Sequence, residues 1–214
     1  MLTVITDFTE KENEVLSFLS FIEDAQGERG SIQKSAILKS SLMIVLYNVV
    51  ESTLTSVLSR LHEEFSKRTY DELSSPIKLL YVRYYFYSRS EKNCAENLVN
   101  ILGGNAPFPS FADYSSRVTL FSGNVDAKKI TEILKLYGMQ KLQATTESRN
   151  KLLMVKNKRN KLAHGEDSFR ESCRGLTLNE IREITDAVIL IMKEILDLAQ
   201  AYLDGETYLK QASR

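Results

Sequence analysis

The segment SIQKSAILKSSLMIVLYNVVESTLTSVLSRLHEEFSK, residues 31–67, decides the fold class. It contains no glycine or proline, so nothing in it interrupts a helix. Its apolar residues recur at the three- and four-residue spacing of a helix: Ile37, Leu38, Leu42, Val45, Val49, Leu54, Leu58 and Leu61. We therefore predict one long central helix. Because its middle is apolar nearly all round, that middle should be buried, and its polar residues Asn48 and Glu51 should need partners.

Capping signals on the N-terminal side and after the central segment predict further helices. Thr9 and Glu12 form a capping box that predicts the start of the first helix, with its end near residues 27–30. Ser75, followed by Pro76, reads as the N-cap of a third helix.

The C-terminal third of the chain predicts two more helices. Thr145 or Thr146 should begin a helix that ends at Gly165. Thr177 and Glu180 form a second capping box, which should begin a last helix with a regular apolar stripe.

Residues 104–140 interrupt the helical pattern. NAPFPSFADYSS (105–116) resembles a loop, RVTLF (117–121) could be a short strand, and Asn124 should cap a helix that Gly138 ends. We therefore predict an all-α bundle, with residues 1–214 as a single domain that carries an inserted loop, short strand and helix at 104–140.

The composition excludes some classes of function but does not identify one. The 214 residues include 28 basic and 28 acidic side chains, so no overall charge attracts nucleic acid and any such binding needs a local patch. Cys94 and Cys173 match no metal-ligand spacing. The N-terminus lacks the pattern of an export signal, and the longest apolar stretch is too short to span a bilayer. We expect a soluble, cytoplasmic protein that does not bind membranes.

The local patch is RNKLLMVKNKRNKLAHGE, residues 149–166. Six basic residues occur there without an acidic residue between them: Arg149, Lys151, Lys156, Lys158, Arg159 and Lys161. A solvated helix face would explain such a run. However, Arg159 falls on the stripe of Leu152 and Val155, where the pattern expects a core residue, so it must have a partner. Asn160 and His164 lie four residues apart on the flank of that stripe.

Here the sequence resembles a known family. RNKLAH (159–164) is similar to the R-x(4–6)-H motif of the HEPN superfamily, which lies on a late helix of a small bundle. Together with YNVVEST (47–53) and FSGNVDAKKITEILKLYG (121–138), it resembles the MAE-type HEPN-like nuclease family.

This resemblance implies a metal-independent endoribonuclease without cofactors, acting on RNA as a homodimer. His164 would be the general base or acid, Arg159 would stabilise charge on the phosphorus, and Asn160 would orient the phosphate or His164. Flanking phosphates would be held by Lys156, Lys158 and Lys161. The expected products are a 2′,3′-cyclic phosphate and a 5′-hydroxyl. The family also suggests a toxin or antiviral defence effector, with an antitoxin or regulatory partner.

The central helix carries two further polar residues of interest, Glu51 and His62. Glu51 is either a buried partner that supports Arg159 or a polar residue at the edge of the core. His62 stands among charged residues, which predicts an exposed side chain without function.

The sequence is compatible with three function classes. The first is the ribonuclease. The second is a non-catalytic HEPN module that binds RNA or nucleotide through the same patch, and the third is a helical protein-interaction domain in which Arg159 is a structural anchor. An intact Arg159 and His164 favour the first.

Overall fold

A computed structural model of the chain describes residues 1–25, 31–87 and 91–211, with residue 31 and residues 91–93 described by backbone alone. The α-helices in these ranges are α1 (Leu2–Asp24), α2 (Ser31–Phe65), α3 (Ser75–Tyr85), α4 (Glu91–Leu102), α5 (Phe111–Arg117), α6 (Ala127–Leu136), α7 (Thr146–Ala163) and α8 (Leu178–Asp204). A short 3₁₀ helix covers Tyr70–Glu72, and no strand occurs within the described ranges. The prediction of an all-α fold is confirmed.

Helix α2 is the centre of the bundle. It packs against α1, α7 and α8, and its residues Leu42, Leu46 and Leu61 are fully buried. The predicted long helix is thus present and ends at Phe65. By length and hydropathy α2 could cross a membrane, but 56% of its most apolar window is buried inside the bundle. Asn48, predicted to need a partner, faces solvent and needs none.

The first helix begins earlier than its capping signal predicts. It starts at Leu2, and the hydroxyl of Thr9 donates to the carbonyl of Ile5 at 2.9 Å instead of capping a helix start. The extra turns bury Val4 and Phe8, and this apolar burial outweighs a local cap of about 1 kcal/mol. The predicted stop at 27–30 lies outside the described residues.

The capping signals in the C-terminal third of the chain are confirmed. The side chain of Thr145 accepts from the backbone N–H of Ser148 at the start of α7, and Thr177 and Glu180 form the predicted box at the start of α8. The third helix is shifted slightly, since its N-cap is Ser74 and not Ser75.

Residues 104–140 differ from the prediction in detail. The segment 117–121 forms no strand, and the N-cap of α6 is Asp126, whose side chain accepts from the N–H of Lys129, not Asn124. The β-branched composition of 117–121 is not enough without a neighbouring strand to pair with. Many side chains of this region join the common core, among them Phe108, Tyr114, Val125, Ile130 and Tyr137.

His62 contradicts the prediction of an exposed side chain, because it is only 1% exposed. Its Nδ1 donates to the carbonyl of Pro109 at 2.9 Å, and its Nε2 lies 2.7 Å from the hydroxyl of Tyr137. Burial lowers the pKa of His62 to about 4, against the opposing effect of the Pro109 carbonyl. His62 is therefore a neutral core residue that fixes residues 104–140 to the end of α2.

Candidate active site

Helix α7 presents the two motif residues in different surroundings. Leu152, Val155 and Leu162 bury one face of the helix in the core. His164 is the C-cap, and the following Gly165 takes the left-handed conformation (φ 71°) that ends the helix. The imidazole of His164 is exposed and has no hydrogen-bond partner within the described part of the chain. Its ring is therefore accessible to a ligand.

Arg159 is half-buried, as its place on the core stripe predicts. Its guanidinium carbon lies 4.6 Å from the centre of the Tyr47 ring, a cation–π contact. Its Nη1 donates to the side-chain oxygen of Asn160 at 3.1 Å. A guanidinium has five N–H donors, and this is the one bond Arg159 makes within the described ranges. The remaining donors form a planar fork that suits a phosphate.

Glu51 does not pair directly with Arg159, so the pairing considered from the sequence is wrong. Its Oε1 accepts instead from the backbone N–H of Gly123 at 2.9 Å and from the hydroxyl of Tyr47 at 3.1 Å. Glu51 still supports Arg159, but it does so through the tyrosine ring that carries the guanidinium.

The hydroxyl of Tyr47 is the centre of this network. It donates to Glu51 and accepts from the backbone N–H of Val125 at 2.9 Å. Burial raises the pKa of Tyr47 to about 12; the Val125 N–H opposes the rise and the Glu51 carboxylate adds to it. Tyr47 therefore stays protonated near neutral pH and acts as a donor, not as a base.

Asn160 connects α7 to the loop before α6. Its Nδ2 donates to the side-chain oxygen of Asn124 at 3.0 Å, while its Oδ1 receives the bond from Arg159. Both acceptor and donor of the Asn160 amide are thus oriented. Asn124 itself is exposed.

The three lysines predicted to bind RNA have different environments. Lys156 forms an ion pair with Asp126 at 2.8 Å, and the side chains of both are largely buried. The ammonium of Lys158 donates to the carbonyl of Ser172 and so holds the loop that follows α7. Lys161 is exposed and has no partner among the described side chains. The basic surface open to a ligand is therefore smaller than the sequence predicts.

The structure brings together Glu51, Arg159 and Asn160, and adds Tyr47, Gly123 and Asn124, to which the residue patterns assigned no site role. The one signal for these three was their presence in YNVVEST and FSGN, the segments that carry the family resemblance. His164 stands outside the hydrogen-bond network. Within residues 1–25, 31–87 and 91–211, no group of three His, Cys, Asp or Glu side chains is arranged to hold a metal ion.

An all-α bundle with an arginine and a histidine on a late helix is the arrangement of a HEPN domain. The family model of the HEPN_MAE_28990-like HEPN domains matches residues 2–208, so the chain belongs to this family. The resemblance seen in the sequence is thereby confirmed, and membership associates the chain with nuclease-like or RNA-related functions. No curated protein and no solved structure matches the chain significantly.

Proposed function

We propose that this protein is a metal-independent endoribonuclease that cleaves RNA by attack of a 2′-hydroxyl. The observation that carries the proposal is the pair of motif residues on α7. The guanidinium of Arg159 is held in place, and among the residues that the structure describes most of its donors have no partner and the imidazole of His164, at the end of the same helix, has none.

Arg159 would stabilise the transition state. As the 2′-oxygen attacks, negative charge grows on the phosphoryl oxygens, and donors that are already oriented lower its energy without reorganising. The Tyr47 ring and the Asn160 amide supply that orientation. Asn160 itself would contact the phosphate or help to orient it.

His164 would move the proton. It can take the proton from the 2′-hydroxyl as a general base or give one to the leaving 5′-oxygen as a general acid. In either role the 2′-oxygen forms a bond to phosphorus while the bond between phosphorus and the 5′-oxygen breaks. The proton lost by the 2′-hydroxyl is balanced by the one that the 5′-oxygen gains, and the products are a 2′,3′-cyclic phosphate and a 5′-hydroxyl. DNA would be inert because it lacks the attacking hydroxyl. The exposed Lys161 would hold a neighbouring phosphate without reading sequence.

We further propose that the working unit is a homodimer. Arg159 and His164 are about 140° apart around the helix axis, so they do not converge naturally on one phosphate. The apolar Leu153, 38% exposed, lies within about 20° of His164 around the same axis, as expected for a face that a second copy covers. A C₂ pairing that brings the two α7 helices together would place each motif opposite its symmetry mate, so that one phosphate could contact the Arg159 of one copy and the His164 of the other.

If the active site is shared between two copies, two differently inactivated chains should restore activity to each other. Differently tagged Arg159→Ala and His164→Ala chains, co-expressed and isolated as a heterodimer, should regain about half the wild-type rate, because one of the two composite sites is intact. Each homodimer of a variant chain is the control. A heterodimer as inactive as both controls, or a fully active monomer, would contradict the proposal that the active site is shared between two copies.

The function itself is tested with purified protein, mixed cellular RNA and single-stranded DNA in excess EDTA. RNA should be cut and DNA left intact, and the new ends should resist 5′-phosphate-dependent ligation until they are phosphorylated. Loss of cleavage in EDTA would contradict the mechanism. Binding of RNA without cleavage would instead identify a non-catalytic module.

A ribonuclease of this kind suits a toxin or antiviral defence effector that degrades cellular RNA in the cytoplasm. An antitoxin or regulatory partner would then hold it inactive, and covering the exposed His164 would be the simplest way to do so.

A further inference from the structure

We propose that Tyr47, Gly123 and Asn124 are positioning residues of the active site, forming with Glu51 a clamp that fixes the Arg159 guanidinium and the Asn160 amide. The proposal rests on the ribonuclease function proposed above. It assigns a catalytic purpose to the loop 122–125, which enters neither the motif nor the mechanism described so far.

The guanidinium lies beside Gly123, in the space that a side chain at this position would fill. A Cβ atom added to this residue would lie 3.0 Å from Nη1 of Arg159 and 3.8 Å from its Cζ. The backbone of Gly123 is also left-handed, with φ at 67°. Glycine is thus required here twice, once for the backbone conformation and once because the guanidinium occupies the space of a side chain.

Side chains of α2 hold the loop in this position. The N–H of Gly123 is bound by the Glu51 carboxylate, and the N–H of Val125 is bound by the Tyr47 hydroxyl. These two anchors flank Asn124, whose side-chain oxygen receives the bond from Asn160. Tyr47 therefore acts twice, since its hydroxyl holds the loop while its ring contacts the guanidinium.

Such a clamp explains how Arg159 can be oriented although no carboxylate of the described residues is bound to it. A direct ion pair would occupy the donors that a phosphate needs, whereas a ring and a backbone contact restrict the guanidinium and leave its donors available. The negatively charged Glu51 carboxylate is bound by the Tyr47 hydroxyl and does not occupy the N–H donors of Arg159.

Gly123→Ala is the sharpest test, because it displaces the guanidinium without removing any functional group. We expect kcat to fall by about 10- to 100-fold with a small change in KM, as a misplaced catalytic group lowers the rate more than substrate binding. Gly104→Ala is the matched control. Gly104 has the same left-handed backbone (φ 71°) but no atom within 4 Å of an added Cβ, so it carries the strain without the displacement.

Variants at three further positions test the parts of the clamp separately. Tyr47→Phe keeps the ring and loses both hydrogen bonds, so it should be less active than wild type but more active than Tyr47→Leu. Glu51→Gln keeps an acceptor for Gly123 and should recover much of the rate lost in Glu51→Ala. Asn124→Ala should lower kcat by about 10-fold, because the Asn160 amide is then free to rotate.

A readout that needs no RNA accompanies the kinetics. The side-chain N–H signal of Arg159 in an NMR spectrum, assigned by its loss in Arg159→Lys, should carry a ring-current shift that Tyr47→Leu removes. Gly123→Ala should move this signal and Gly104→Ala should leave it unchanged. If Gly123→Ala matches Gly104→Ala in both signal and kcat, the clamp is refuted. If the signal responds as expected but the wild type cuts no RNA, the clamp geometry stands and the ribonuclease function fails.

Discussion

His164→Ala and Arg159→Ala should each slow RNA cleavage by at least about 100-fold, the range expected for loss of a general acid or base or of a charge-stabilising donor. The structure predicts that the fold survives in both cases. His164 is exposed and makes no hydrogen bond within the described ranges, and Arg159 makes one hydrogen bond and one ring contact. Cleavage is measured on a labelled RNA, and folding by thermal unfolding of the same preparations.

Two controls make this result specific. Arg159→Lys keeps the positive charge and loses the planar fork, so it should remain strongly impaired. Lys151→Ala removes a charge from the same helix, where Lys151 pairs with Glu147 and Glu183 away from the motif, and should keep wild-type activity. Normal cleavage by His164→Ala, or equal losses in Lys151→Ala, would contradict the assignment.

Lowering the pH from 7 to 4 should destabilise the wild type by roughly 3 kcal/mol more than His62→Gln. The pKa of His62 is about 4 in the folded protein, compared with 6.5 for the ordinary side chain. Below pH 6.5, His62 in the unfolded chain therefore binds a proton, whereas His62 in the folded chain stays neutral. The free energy of unfolding decreases as the pH is lowered, and this decrease levels off near pH 4. Each pH unit in this window contributes about 1.4 kcal/mol.

Urea unfolding at several pH values measures the effect. Glutamine can still bond to the Pro109 carbonyl and the Tyr137 hydroxyl but does not titrate, so the difference between the two proteins isolates His62 from the carboxylates. Parallel stability curves for wild type and His62→Gln between pH 7 and 4 would mean that the pKa of His62 is the same in the folded and unfolded chains, and would contradict the prediction.

The parts of the fold that sequence predicts are those with local causes. The periodicity of α2 and the caps at Thr145 and Thr177 depend on neighbours within one or two helical turns, and all of them are observed. Thr9 shows the limit of a local signal. Its capping pattern is present in the sequence, but burial of Phe8 in the preceding turns decides where the helix begins.

The errors have causes that lie far along the chain. The charged neighbours of His62 predict exposure, yet the residues that bury and bond it are 47 and 75 positions away. Glu51 is expected to need a partner, and it has two: the Tyr47 hydroxyl one turn earlier on α2, and a backbone N–H 72 positions away, rather than Arg159. A helical pattern identifies the face on which a polar residue lies, and it contains no information about what the opposite surface supplies.

The candidate site is likewise predictable only where its causes are local. Periodicity predicts Arg159 toward the core and His164 at a solvent-facing helix end, and both positions are observed. Apart from its bond to the adjacent Asn160, the contacts of Arg159 come from α2 and from the loop before α6, which no local pattern connects to α7. The charge run likewise could not show that Lys156 and Lys158 have internal partners.

The most direct test of the central claim uses one RNA oligonucleotide, cut at a mapped position, and the same oligonucleotide with a single 2′-deoxynucleotide on the 5′ side of that bond. In EDTA, the wild type should cut the all-RNA strand to give a 2′,3′-cyclic phosphate and a 5′-hydroxyl, identified by mass spectrometry. It should leave the substituted bond intact while still cutting elsewhere, because only the attacking hydroxyl is missing. Cleavage at the substituted bond, or products that end in a 5′-phosphate, would show that water and not the ribose attacks, and would contradict the mechanism assigned to Arg159 and His164.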